Sequence, residues 1–254
     1  MLGSILSHRQ NGFRKKSVRG YFSKDLARSV HSELASSGRA TYVERCQTPG
    51  GSPPGVSCSV HFSDMVIAAI QQAIALKNTY NIRVINLSLG RGIATNYAQD
   101  PLCQAVESAW NAGIVVVVAA GNFGRISVNG SNGYGTVAAP GNDPLVLTVG
   151  AMKAMGSYSR SDDQIASYSS KGPTTYDHVV KPDVVAPGNS VVSTNSKGST
   201  LEGEFPANDV AGNGSGQDYF ILSGTSMGTA VEYAATQTLS SQVSATRFFR
   251  LQLS

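Results

Sequence analysis

The chain is poor in charge. Only 14% of its 254 residues are Asp, Glu, Lys or Arg, well under the roughly 25% of an average domain. That scarcity excludes a coiled coil and a highly charged disordered chain. Long apolar runs are missing as well. The longest, Ile114 to Ala120, is strand-sized, against the ~18–20 residues of a spanning helix, so no membrane partner is expected. Cysteine is scarce: Cys46, Cys58 and Cys103 form no C-x-x-C pair, and an odd count in a chain this long is neither a disulfide framework nor a zinc site. No metal ligand set is readable. A secretory signal is not readable either, because the charges near Met1 follow the apolar patch Leu2, Ile5 and Leu6 instead of preceding it.

What charge there is sits unevenly. Residues 1–60 carry 9 Lys/Arg against 3 Asp/Glu, a balance of +6, and the remainder carries 11 against 13, a balance of −2. The basic run Arg14, Lys15, Lys16 and Arg19 has only Tyr21 and Phe22 beside it and matches no nucleic-acid module, so no nucleic-acid partner is expected. The sequence carries no signal for oligomeric state.

Three unequal parts follow one another. Residues 1–61 are rich in Ser, Arg and Gly without a sustained period, and Thr48 to Gly55 is a breaker cluster; this part reads as irregular or weakly ordered. From Ser63 the texture changes. Ser63 is a candidate helix cap, with Asp64 in the first turn and Val66, Ile70, Ala73 and Ile74 at helical spacing. Asn78 to Asn81 end that helix, and Val84 to Leu89 reads as a strand. Asp100 then caps a second helix with Pro101 at its first position, a stripe of Leu102, Ala105, Val106 and Ala109, and Gly113 just past its end. Ile114 to Ala119 has no alternation, the pattern of a strand covered on both faces. Leu145 to Val149 fits a third strand. After Thr229 the pattern fades into residues 230–254, an atypical tail whose Ala230 to Leu239 can be helical.

Helix, strand, helix, strand with short links implies parallel pairing. The expected class is α/β, three-layered, with a largely parallel central sheet. Such sheets build their sites at the carboxyl ends of strands, here Ser88-Leu89-Gly90 and Ala120-Gly121-Asn122.

Taken alone, Gly224-Thr225-Ser226-Met227-Gly228 reads as a turn. Its company is informative: Ile85-Asn86-Leu87-Ser88-Leu89-Gly90, Val118-Ala119-Ala120-Gly121-Asn122, Ala166 to Pro173, and Lys181-Pro182-Asp183-Val184-Val185-Ala186-Pro187-Gly188 precede it. In that order and spacing these segments closely resemble the subtilisin-like serine peptidases (subtilases), over roughly Ser63 to Thr229. The resemblance implies a subtilisin-like fold, incomplete on its N-terminal side, over residues 62–229. It implies Ser226 as nucleophile at a helix start and Asn122 as side-chain donor of an oxyanion hole, a type of donor whose loss costs about 10²–10³ in turnover. It assigns Ser88, Leu89 and Gly90 to the segment that pairs with a substrate backbone, and Ala120 and Gly121 to the wall of the side-chain pocket. The partner implied is a peptide or protein substrate. No cofactor is certain. Calcium is possible by family analogy, as is an exported parent protein. Other readings stay open: Asn122 as a left-handed turn residue, the 181–188 segment as scaffold, and the pair Asp162, Asp163 as solvated carboxylates in preference to a calcium site.

The family's Asp-(Ser/Thr)-Gly and His-Gly-Thr-His motifs, which precede the Ile-Asn-Leu-Ser-Leu-Gly strand, are not in this sequence. None of His8, His31, His61 and His178 lies in such a motif, and Asp25 fits no better. A serine hydroxyl is a poor nucleophile without a base and a carboxylate to orient it, and loss of the His alone costs about 2 × 10⁶ in turnover. Two functions are therefore expected: a subtilase endopeptidase domain with negligible activity by itself, or a non-catalytic peptide-binding relative. The sudden loss of pattern before Phe62 and after Thr229 leads us to expect flanks from a shifted reading frame or a misjoined gene, to be tested by translating the other two frames upstream. The segment Gly228 to Tyr233 also departs from the family, which puts the packing that fixes Ser226 in question.

Overall fold

A computed structural model describes residues 58–126, 131–157, 159–195, 198–211 and 218–242. In chain order these form α1 (Cys58–Ala75), α2 (Lys77–Tyr80), β1 (Val84–Leu87), α3 (Pro101–Asn111), β2 (Val115–Ala119), β3 (Leu147–Lys153), β4 (Gln164–Ile165), β5 (Val184–Pro187), β6 (Val191–Thr194), α4 (Thr200–Glu204), β7 (Asp209–Ala211), β8 (Asp218–Leu222) and α5 (Thr225–Gln242).

β1, β2, β3 and β5 pair in parallel in that order, with the short β4 antiparallel to the end of β3. The period of two along each strand divides the core. Ile85, Leu87, Val116 and Val118 pack with Ile70 of α1 and Leu102 and Val106 of α3. Val84, Val117 and Val149 face the other way, with Ala186 and Tyr233 of α5. A sheet with helices on both faces explains why β2 reads as four valines followed by an alanine and no alternation. Each such side chain stabilises the fold by about 1.5–3 kcal/mol when fully buried. The expected three-layer α/β class is what the structure shows.

The second helix follows its expected signals. Asp100 Oδ1 accepts from Leu102 N at 2.9 Å, Pro101 opens α3, and Gly113 takes the left-handed conformation (φ +77°) past its end. Three expectations need correction. α1 begins at Cys58, so Ser63 lies inside the helix; its hydroxyl accepts a 3.1 Å bond from Arg91 Nε and serves a tertiary contact instead of capping. β3 starts at Leu147 instead of Leu145, because Asp143 Oδ1 accepts from Leu145 N at 2.8 Å and ties that residue into the preceding turn. The first strand stops at Leu87, with Ser88 and Leu89 beyond it. A small antiparallel sheet in the order β6-β8-β7 was not foreseen; its strands have only three to five residues, too few for a period to register.

Among the described residues no helix is long and apolar enough to cross a membrane. Cys103 is a buried free thiol; its pKa is pushed up by burial and then by the nearby Asp100 and Asp143 carboxyls.

Candidate active site

Ser226 is the second residue of α5, so the positive end of the helix dipole lies at its side chain. The start of this helix is pressed onto the sheet. A Cβ on Gly228 would lie 3.0 Å from Gly150 O and 3.2 Å from Ala186 O, which makes glycine the residue that permits this approach. Gly224 N donates to Gly188 O at 2.8 Å, and the Thr229 hydroxyl donates back to Thr225 O at 2.7 Å. Tyr233, two turns on, is buried in the core. The segment after Gly228 that departs from the family pattern therefore still seats the helix.

The Ser88 and Ser226 residues hold each other. Ser88 Oγ donates to Ser226 O at 2.8 Å, and Ser226 Oγ donates to Ser88 O at 3.2 Å. A carbonyl accepts a hydrogen bond but does not take a proton. No His or carboxylate among the described residues is hydrogen-bonded to Ser226 Oγ. His178 belongs to the turn between Thr174 and Val179. His8, His31 and Asp25 lie outside the described residues, and of His61 only the backbone is described.

Asn122 stands beside the start of α5. Its Oδ1 accepts from Thr225 N at 2.9 Å and from the Thr225 hydroxyl at 3.1 Å, so the amide is oriented with its oxygen inward and its Nδ2 available as a donor. Thr225 is fully buried and its Oγ1 also accepts from Gly121 N at 3.2 Å. The positive φ in this loop belongs to Gly121 (+107°), and Asn122 has no left-handed backbone. An added Cβ at Gly121 would come within 2.9 Å of Ser170 Oγ, which accepts from Phe123 N at 3.1 Å. Sequence reasoning missed Thr225 and Ser170. The first was legible as a hydroxyl next to Ser226, whereas Ser170 is far along the chain.

The remaining predicted residues converge on the same sheet end. Gly90 is exposed and its Cβ position would meet Ala138 at 3.0 Å, while Arg91 and Ala139 exchange two 2.9 Å backbone bonds. Leu89 packs its side chain against the first core cluster, so only its main chain is available to a ligand. Ala120 is fully buried; its N–H bonds Val149 O and its carbonyl accepts from Ala138 N, both at 2.9 Å, so it backs the wall instead of facing outward. An open cavity of about 230 Å³ adjoins that wall, lined by Gly92, Ile93, Phe123, Thr136, Ala138 and Thr175 among others.

The calcium expectation can be set against the residues present. Asp162 accepts from Ser157 Oγ at 2.8–2.9 Å and Asp163 pairs with Arg160 at 3.0 Å. No group of three or more His, Cys, Asp or Glu suited to a metal occurs among the described residues. Asp162 and Asp163 thus have partners within the chain.

Comparison with known proteins gives the family. A model of the subtilase family (Peptidase_S8) matches residues 55–240. Serine protease AprX of Bacillus subtilis (strain 168) is 43% identical over 153 residues, covering 59% of this chain and 31% of AprX. Subtilisin DY of Bacillus licheniformis is 34% identical over 160 residues, covering 63% and 43% respectively. Among solved structures, the prenylagaramide maturation protease PagA superposes with a TM-score of 0.48 at 22% identity, over 70% of this chain and 49% of that one. The chain spans less than half the length of these two curated relatives. With the family matched over most of its described residues, the chain belongs to the subtilases, the subtilisin-like serine peptidases.

Proposed function

We propose that this chain carries the nucleophile half of a serine endopeptidase site, with peptides or proteins as substrate, and that by itself it hydrolyses them negligibly. One observation carries the reading: Ser226 at the start of α5 lies next to an Asn122 amide whose oxygen is tied down by Thr225. In the reaction so read, Ser226 Oγ attacks the scissile carbonyl. The Asn122 Nδ2 and the Ser226 N–H, one of the helix's leading amides without an intrahelical acceptor, hold the oxyanion. Ser88 to Gly90 carry the substrate backbone, with Gly121 and its loop as the pocket wall. The hydroxyl proton needs a base, and in the present arrangement it points at the Ser88 carbonyl.

Two measurements test this. A peptide boronate is presented as its hydroxyboronate anion, so that one boron-bound hydroxide leaves as water with the Ser226 proton when the O–B bond forms and no protein base is needed. It is expected to bind the chain and to lose at least a hundredfold in affinity on Ser226→Ala; equal binding by the variant overturns the site. A fluorophosphonate probe is expected to leave Ser226 unmodified. Stoichiometric labelling overturns the dormancy.

The same carbonyl contact favours a second reading, a non-catalytic peptide-binding relative. Its signature is peptide binding that survives Ser226→Ala and is lost on Gly90→Trp.

A further inference from the structure

Asn86 is a buried amide in the middle of an otherwise apolar strand, 4% exposed between Ile85 and Leu87. Burying such a group costs free energy unless its hydrogen bonds are made, so the partners it does make are informative. Side chains alternate along a strand, and β1 sorts accordingly. Ile85 and Leu87 join the cluster on α1 and α3, whereas Val84 packs with Tyr233 of α5. Asn86 therefore stands on the α5 face, and Ser88 continues that face toward Ser226, as its bond to Ser226 O shows. The dimensions agree. Four strand residues from Val84 to Ser88 advance about 13 Å, and seven helix residues from Tyr233 back to Ser226 advance about 10 Å.

The Asn86 and Ser88 side chains and the Ser226 carbonyl form one directed series. Asn86 Nδ2 donates to Ser88 Oγ at 3.0 Å, and Ser88 Oγ donates to Ser226 O at 2.8 Å. The Ser88 hydroxyl has a single hydrogen and two acceptors to choose from. Asn86 Oδ1 lies at 3.5 Å, Ser226 O at 2.8 Å. With the amide nitrogen turned toward Ser88, that hydrogen is directed onto Ser226, and donation into Ser88 Oγ polarises it further.

We propose that Asn86 is a positioning residue for the nucleophile: acting through Ser88, it fixes the Ser226 peptide unit, and hence the direction of Ser226 Oγ, against the end of β1. The proposal rests on the reading of Ser226 as nucleophile only for its functional consequence; the hydrogen-bond series itself is measurable without it.

Asn86→Asp is the informative substitution. It keeps the shape of the side chain, but an ionised carboxylate only accepts, so the Ser88 hydrogen turns away from Ser226. We expect boronate affinity to fall about tenfold relative to the unsubstituted chain, and to recover as pH is lowered and the carboxyl takes a proton that it can donate to Ser88. Ser88→Ala is expected to lose a similar factor and Ser88→Thr, which retains the hydroxyl, to restore it. A merely structural role would lower the melting temperature of these variants without the pH-dependent recovery or the rescue. The second readout needs no ligand. Ser226-Met227 is the single Ser-Met step in the sequence, so carbonyl-¹³C serine with ¹⁵N methionine gives one coupled signal, reporting the Ser226 carbonyl alone. That signal should move upfield on Ser88→Ala and on Asn86→Asp at neutral pH. An unmoved carbonyl signal, or boronate affinity equal to the parent in both variants, overturns the proposal. A carbonyl that moves in a chain indifferent to boronate instead removes Ser226 as nucleophile and leaves the hydrogen-bond series standing.

Discussion

The two faces of the central sheet are built for different ends. Toward α1 and α3 the contributions are apolar from end to end: Ile85, Leu87, Val116 and Val118 against Ile70, Leu102 and Val106. Toward α5 the same strand β1 begins with Val84 on Tyr233 and then turns polar, through Asn86 and on to Ser88 beneath Ser226. One face supplies burial, which is non-directional. The other trades burial for hydrogen bonds that point, and only such bonds can aim an oxygen. The same split recurs in the loops, where Thr225 orients Asn122 on the α5 side.

Substitutions can break or sharpen this contrast. The largest stability effect is expected on the apolar face: Leu102→Ala removes a fully buried side chain and should cost about 2–5 kcal/mol, read by denaturant unfolding. A loss under about 1 kcal/mol would show that α3 is not part of the cooperative core.

Next comes Asp143, in the loop before β3. Its pKa is pushed up to about 7, first by burial and then by Glu107 of α3, opposed by the Leu145 N–H and the Lys181 ammonium. A carboxyl whose folded pKa lies above its unfolded value binds a proton more tightly when folded. Its contribution is therefore fully present below about pH 4 and is lost as pH rises through about 7. Asp143→Asn should raise stability at pH 8 by an amount on the order of 1–3 kcal/mol and flatten the decline between pH 5 and 8. An unchanged pH profile counts against a buried neutral carboxyl.

A smaller effect is expected from Asp100→Asn, which retains a capping oxygen and loses the charge paired with Arg91 at 2.6 Å. With Arg91 partly exposed, about 1 kcal/mol is expected, with salt dependence as the check. Smallest in stability, yet visible in ligand binding, is Asn122→Asp. It keeps the Oδ1 that accepts from Thr225 and removes only the exposed Nδ2 donor, so unfolding should shift by under about 1 kcal/mol, while boronate affinity falls tenfold or more. Comparable losses in both would place Asn122 with the scaffold.

Legibility differs between these regions for physical reasons. Asp100, Pro101 and Gly113 act within a few residues of themselves, so the bounds of α3 were readable as written. Ser63 looked like an equally good cap, yet its oxygen is taken by Arg91, 28 positions away. The cleft residues were recognised through their family resemblance, whereas Asn86 was read only as part of the Val84 to Leu89 strand, because the partner that gives it a role lies across the fold. Ser170 left no local sign, because its role is to fill the space that Gly121 leaves open.

The sequence by itself determined the central strands β1 and β2 in outline, helix α3 with its bounds, the parallel α/β order and the subtilase motifs, because propensity, capping and period are properties of neighbours along the chain. Tertiary structure alone decided which oxygen each hydroxyl and amide addresses: Asn122 to Thr225, Ser88 to Ser226, Ser226 back to Ser88. Those directions depend on bonds between residues more than a hundred positions apart, and a hydrogen bond is specified by where its partner lies in space.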